Sequence, residues 1–220
     1  MEIKRTANAG ILLRLDDTSI LLDGVCQEVS PYLATPPAQR EELIAHWPDV
    51  VAFSHIHNDH FDSTYAQQYN RGTGRFAFST GQAAGLLPDY VQAAASFGTE
   101  KVRVISVPTR HMGRAFGNTE HCSFVVTGSK CLWFLGDATP TQLKDFSQFP
   151  KPDVLVVPFP YLATPASRKQ LEALLPCQIV LVHMPDPDND PDGIWEMTEE
   201  GRGELAKYLH CPCMGEILTL

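Results

Sequence analysis

The run His55-Ile56-His57-Asn58-Asp59-His60 puts three imidazoles and a carboxylate into six residues. No regular strand or helix can turn all four toward one point, because side chains alternate along a strand and spiral around a helix. A tight loop at a strand end can instead divide them between two neighbouring cations. Nitrogen and carboxylate donors without thiolate suit zinc, with manganese and iron as competitors. Such ions bring the pKa of a water ligand toward neutrality and polarise a carbonyl or phosphoryl oxygen. The chemistry expected of this run is metal-assisted hydrolysis.

Other polar residues fall where strands end. His111 comes shortly after Val102–Val107, Asp137 after Leu132–Leu135 and Gly136, and His183 directly after Ile179–Val182. Gly136 lets the backbone turn and aim the carboxylate inward. His121 rivals His111 for one role, although it leads straight into the next strand. Strand ends that share one rim of a sheet pair bring such residues together.

The elements that would do this are short. Gly10–Leu15 and Ser19–Asp23 read as a hairpin about Asp16-Asp17-Thr18, and Ser123–Thr127 and Leu132–Leu135 as a second about Gly128-Ser129-Lys130. Val50–Ser54, Arg75–Ser79, Val102–Val107 (ending at Pro108), Val154–Val157 and Ile179–Val182 read as further strands, with a last one near Ile217. Helical spacing appears over Ala38–Trp47, Phe61–Asn70, Ala166–Leu175 and Thr198–Leu209. Hairpins alternating with strand–helix–strand units suit two packed sheets with helices outside. No linker or repeat interrupts residues 1–220, so one domain is expected.

These residues and their order resemble the metallo-β-lactamase superfamily along nearly the whole chain. The resemblance implies an α/β fold, the four-layer αβ/βα sandwich of two mixed sheets flanked by helices. It implies that His55, His57 and His111 hold a first divalent ion, and that Asp59, His60 and His183 hold a second. Asp137 would bridge the two, Asp59 would also act on the nucleophilic water, and Asp23 would support a ligand histidine. The third-histidine loop departs from the frequent His-x-x-Gly-His and reads Thr109-Arg110-His111-Met112-Gly113-Arg114. With the compact length, this looks closer to the branch that includes ascorbate-6-phosphate lactonase. Members with a flavin domain usually carry glutamate where this chain has His57, and nucleic-acid-cutting members add an inserted domain or arm.

Composition narrows the partner. Seventeen basic against 26 acidic residues leave a net charge of −9, which disfavours nucleic acid and anionic membranes. No apolar run approaches a membrane span or a signal peptide, so a cytoplasmic protein is expected, with its six cysteines reduced. Arg110, Arg114, Arg168 and His121 are candidates for holding a small anionic substrate such as a lactone or phosphate ester. A phosphodiesterase acting on cyclic nucleotide or short RNA and a non-catalytic metal-binding module are the alternatives. Asp186–Asp192 approximates calcium-loop spacing but reads better as a pocket-edge loop, and Cys211-Pro212-Cys213 lacks a partner motif.

Overall fold

The computed structural model describes every residue from Met1 to Leu220. The first sheet holds β1 (Glu2–Arg5), β2 (Ile11–Leu15), β3 (Thr18–Leu22), β4 (Val50–Ala52), β5 (Ala77–Phe78) and β6 (Val91–Gln92), in that spatial order. The second holds β7 (Ser96–Gly98), β8 (Arg103–Arg110), β9 (Glu120–Thr127), β10 (Cys131–Phe134), β11 (Val154–Pro158), β12 (Gln178–Val182) and β13 (Leu209–His210). The chain's last strand, β14 (Ile217–Thr219), returns to pair antiparallel with β1. Both sheets are mixed. In the first, pairing is antiparallel from β14 to β3 and parallel from β3 to β6. In the second it is antiparallel from β7 to β10 and parallel from β10 to β13.

Side-chain alternation sorts the core into layers. Ile20 and Leu22 of β3 meet Phe124 and Phe134 of the opposite sheet, while Leu21 between them faces outward. Outside the first sheet lie α1 (Pro37–Ala45), α2 (Ser63–Thr73) and α3 (Gly81–Leu86), whose Leu43, Tyr65, Tyr69 and Ala83 pack on Leu21, Val51 and Phe53. Outside the second lie α4 (Pro160–Ala163), α5 (Pro165–Glu172) and α6 (Ile194–Gly201), whose Tyr161, Leu171 and Ile194 join the layer holding Trp133, Leu155 and Ile179. Each fully buried aliphatic or aromatic side chain contributes about 1.5–3 kcal/mol. Because strands are covered on both faces, they read as near-continuous apolar runs.

Two expectations need correction. The strand expected to stop at Pro108 runs on to Arg110. Ser106 sends its N–H to Ala95, so Pro108, two residues on, turns its N–H-less nitrogen to the same side, where β7 has already ended. The helix expected over Thr198–Leu209 begins instead at Ile194 and stops at Gly201. There a side chain would approach the Leu162 carbonyl to 2.9 Å, and Gly203 has φ 41°, so the chain passes through a 3-10 turn into β13. Strands β1, β6 and β7 and helix α3 carry too few residues to show periodicity and were not expected. No helix is long and apolar enough to cross a membrane.

Candidate metal centre

The parallel strands of both sheets end on one rim, and the chemistry collects there. The segment after β4 delivers Ser54 and His55, and β9 secures it. Beyond the end of β10 the Cys122 N–H has no strand partner and donates to the Ser54 carbonyl at 2.9 Å. Asp23 follows β3 with φ 48°, and His183 follows β12 with φ 62°. Left-handed backbone at a side-chain-bearing residue is strained and persists only when surrounding contacts hold it. Here they do: the Asp23 N–H donates to Ala52 at 3.0 Å and the His183 N–H to Asn8 at 3.0 Å.

Two triads face each other at this rim. In the first, His55 Nε2 lies 2.9 Å from His57 Nδ1 and 3.3 Å from His111 Nε2. In the second, Asp59 Oδ2 lies 3.1 Å from His183 Nε2 and 3.8 Å from His60 Nε2. Asp137 stands between them, with Oδ1 3.4 Å from His60 Nε2 and Oδ2 3.5 Å from His111 Nε2 and 3.7 Å from His183 Nε2. Donors around one tetrahedral zinc are roughly 3.3 Å apart, given bonds near 2.0–2.1 Å. His60 Nε2, Asp137 Oδ1 and His183 Nε2 are buried without any hydrogen-bond partner. Leaving such atoms unpaired costs about 1–3 kcal/mol each, a deficit a shared cation removes. The donor set and its orphaned atoms therefore fit divalent-metal binding.

The supporting contacts fix which ring nitrogen faces inward. Asp23 is fully buried and accepts from the Ser54 N–H and Ser54 hydroxyl, both at 2.6 Å, and from His60 Nδ1 at 2.8 Å. The Ser54 hydroxyl in turn accepts from His55 Nδ1 at 2.9 Å. One carboxylate thus orients a histidine of each triad, leaving both Nε2 atoms directed at the centre. His111 donates through Nδ1 to the Met112 carbonyl. His121 is not in either triad. Its Nδ1 pairs with the Thr109 hydroxyl at 2.7 Å and its Nε2 accepts from the Asp137 N–H at 2.9 Å. With both nitrogens committed, it positions the backbone of Asp137. Burial lowers its pKa to about 3, so it stays neutral and able to accept.

Burial also pulls His55 well below the ordinary histidine value. On His60 burial acts the same way, but the carboxylates of Asp137 and Asp23 override it and hold the ring well above that value. Asp137 shows the converse: burial would raise it, and His60 and His183 keep it well below the usual carboxylate range.

Gly136 has φ 52°, and a Cβ there would stand 2.8 Å from the Ser54 side chain and 2.9 Å from His121 Nε2. Gly136→Ala is expected to lose about 2 kcal/mol or more through strain and overpacking, read by chemical unfolding. Unchanged stability would mean the turn has slack that these distances deny.

Several residues at the site carry no signal in sequence spacing. The Tyr32 ring meets the His183 ring edge-on with centroids 4.3 Å apart, and burial with Asp137 and Asp59 nearby pushes its hydroxyl up to about 12. Phe116, 43% exposed, covers His57 and His111 with centroids 4.9 Å away from each. The Thr119 hydroxyl lies 3.4 Å from His57 Nε2. The arginines are dispersed. Arg168 donates to the Leu162 carbonyl at 2.6 Å, tying α5 to α4, so its expected substrate role gives way to a packing one. Arg110 and Arg114 are exposed, with no partner for either guanidinium. In the acidic loop, Asp190 accepts from the N–H groups of Ile194 and Trp195 and so caps α6. All six cysteines are free thiols.

A family model described as a beta-lactamase superfamily domain matches residues 2–183. No curated protein matches the sequence. Among solved structures, an isothiocyanate hydrolase from Delia radicum gut bacteria superposes with a TM-score of 0.77 at 18% identity, covering 100% of this chain and 99% of its own. A metallo hydrolase, Igni18, from Ignicoccus hospitalis gives 0.68 at 16% identity, covering 100% and 97%. The diiron β-hydroxylase CmlA from Streptomyces venezuelae gives 0.68 at 14%, covering 100% of this chain and 54% of its own. At these identities the likeness is one of fold.

Proposed function

The chain belongs to the beta-lactamase superfamily, and from that premise we propose that it is a binuclear metal-dependent hydrolase of a small molecule. The observation carrying this reading is the convergence of a three-histidine triad and a triad of one aspartate and two histidines on a rim where buried nitrogen and oxygen atoms lack partners. His55, His57 and His111 would hold one ion, Asp59, His60 and His183 the other, and Asp137 would touch both. Two divalent ions there, zinc or else manganese or iron, supply an activated water at neutral pH and a Lewis acid for the electrophilic atom.

The protein's own groups do the rest. Burial works against ionisation of Asp59, but the His183 ring 3.1 Å away and the neighbouring His60 ring outweigh it and keep the carboxylate below the usual range. It is therefore ionised at neutral pH and free to take a proton from the attacking water. Its side chain is 13% exposed, so that water can reach it. Asp23, through Ser54 and His60, holds two rings in the required tautomer. Tyr32 keeps its proton and can donate to oxygen developing on the substrate. Phe116 and Tyr32 wall off the two sides, which strengthens electrostatic interactions between them.

A small substrate agrees with the net charge of −9, which opposes nucleic acid. For a charged substituent, Arg110 and Arg114, in the segment around His111, are cations without a partner. Six free thiols agree with a reducing compartment such as the cytoplasm. Elemental analysis of protein purified without chelators is expected to approach two divalent ions per chain. Each ion at a hundredfold excess over its Kd should add about 2.7 kcal/mol of stability, reversed by chelator. One equivalent at saturation would overturn the binuclear assignment. The zinc- and manganese-loaded protein should then be screened on lactones, thioesters, isothiocyanates and phosphodiesters. No turnover on any class would favour a non-catalytic metal-binding module.

A further inference from the structure

Beside the metal centre, on the same rim, lies a chamber of about 730 Å³. Its walls come from the segments after β5 and β6, the end of β8 and the start of β9. We infer that this chamber receives the non-reacting body of the substrate, and that this body is an uncharged alkyl or aryl group. The inference rests on the hydrolase reading above and names the substrate class for that site.

Three observations converge. The chamber shares a wall with the first triad: Thr119 lines it while its hydroxyl contacts His57 Nε2, and the opposite nitrogen of that ring faces His55. One imidazole ring thus separates the chamber from the centre, and Gly117 on the lining adjoins Phe116, which covers the triad. Next, the wall is built largely of small residues, among them Ala93, Ala94, Ala95 and Pro108. Volume on this scale is that of pockets for drug-sized ligands.

The third observation is that most polar side chains of the wall are already engaged. The Ser79 hydroxyl donates to Phe53, and the Thr80 hydroxyl caps α3 by accepting from Ala83. Thr109 is taken by His121 and Ser123. The Cys122 thiol points to the Ser54 carbonyl, and burial pushes it up to about 12, so it remains uncharged. Glu120 accepts from the Gln82 N–H at 2.7 Å, leaving Arg110 as the charged lining residue without a partner. Both charged residues are exposed. A polar body there would find few uncommitted side-chain partners, whereas an apolar one would cover the exposed Ala93, Ala95 and Pro108 and remove their apolar surface from water. A charged terminus, where a substrate has one, would lie outside beside Arg110.

The test uses straight-chain alkyl hydroxamates, from acetohydroxamate to octanohydroxamate, whose head groups chelate metal while their tails lengthen. Their binding to the zinc-loaded protein is measured by calorimetry. Affinity is expected to rise about three- to fourfold per methylene as the tail fills the chamber. Ala94→Phe, which occupies that space, should leave acetohydroxamate within about twofold of wild type and abolish the chain-length gain. Where that variant fails to fold, Ala93→Leu serves the same purpose with a smaller side chain. A flat chain-length series, or an equal gain in the filled variant, would overturn the chamber assignment while leaving the metal centre intact. Failure of acetohydroxamate itself to bind would instead remove the hydrolase reading, and the inference with it.

Discussion

Asp59→Asn is expected to lower the turnover number by at least about a hundredfold, on the substrate that the hydrolysis screen identifies. The substitution preserves shape and removes charge. Asparagine cannot take a proton from water, and its amide oxygen is a weaker metal ligand than a carboxylate. Two losses are therefore combined, and they separate by measuring bound metal alongside rate. The position favours a role in proton transfer over a purely structural one, because the carboxylate is partly open to solvent while the neighbouring His60 is fully buried. Its 3.1 Å contact with His183 also means the amide can turn its NH2 toward that nitrogen, which would compete with metal. Full metal loading with unchanged turnover would remove Asp59 from the mechanism. Full loading with a large loss would assign it the acid–base role directly.

Asp23→Ala should have the largest effect on the folded state. It strands the Ser54 N–H and the Nδ1 of His60 at a site with no access to water. It also leaves alanine at φ 48°, a conformation disfavoured for most side chains. Removing one member of a buried charged network costs about 3–5 kcal/mol, and removing the partner of a ligating histidine weakens metal binding about 10–100-fold. Asp23→Asn is the informative companion. Asparagine tolerates the backbone and can accept from Ser54, so stability should be largely recovered. Its NH2 would oppose the Nδ1–H of His60, so metal affinity should not be. Thermal unfolding and zinc competition on the two variants check this. Parallel recovery of stability and affinity in the asparagine variant would show that the His60 tautomer is set by something other than Asp23.

Much of this centre was readable in the sequence because the residues it gathers are local or sit at strand ends. His55 to His60 are adjacent in the chain, and His111, Asp137 and His183 each follow an apolar run that forms a strand. The choice between His111 and His121 was not readable with certainty from spacing. His111 directly follows β8 and His121 lies near the start of the neighbouring β9, and the contacts of His121 with Thr109 and with the Asp137 N–H show that it is occupied elsewhere. Tyr32 and Phe116 were invisible for another reason. They reach the site from an isolated bridge and a single 3-10 turn, too short for any periodicity to show side-chain direction. The chamber is hardest of all to foresee. It is made of alanines, serines and threonines from four separated stretches, residues whose types announce nothing until β6 and β7 place them together.

Each triad takes two members from the segment after β4, in the first sheet, and one from a strand end of the second. If both were to hold an ion, such triads would act as two cross-links tying the halves of the sandwich, closing loops from His55 to His111 and from His60 to His183. Neither half alone contains a complete set of donors. Metal retention should therefore register the docking of one half on the other, and a chain stalled before β12 would hold at most the first ion. Partial unfolding of either half would release ions bound by both. The same residues that are arranged for chemistry would thus make the two sheets unfold as a single cooperative unit.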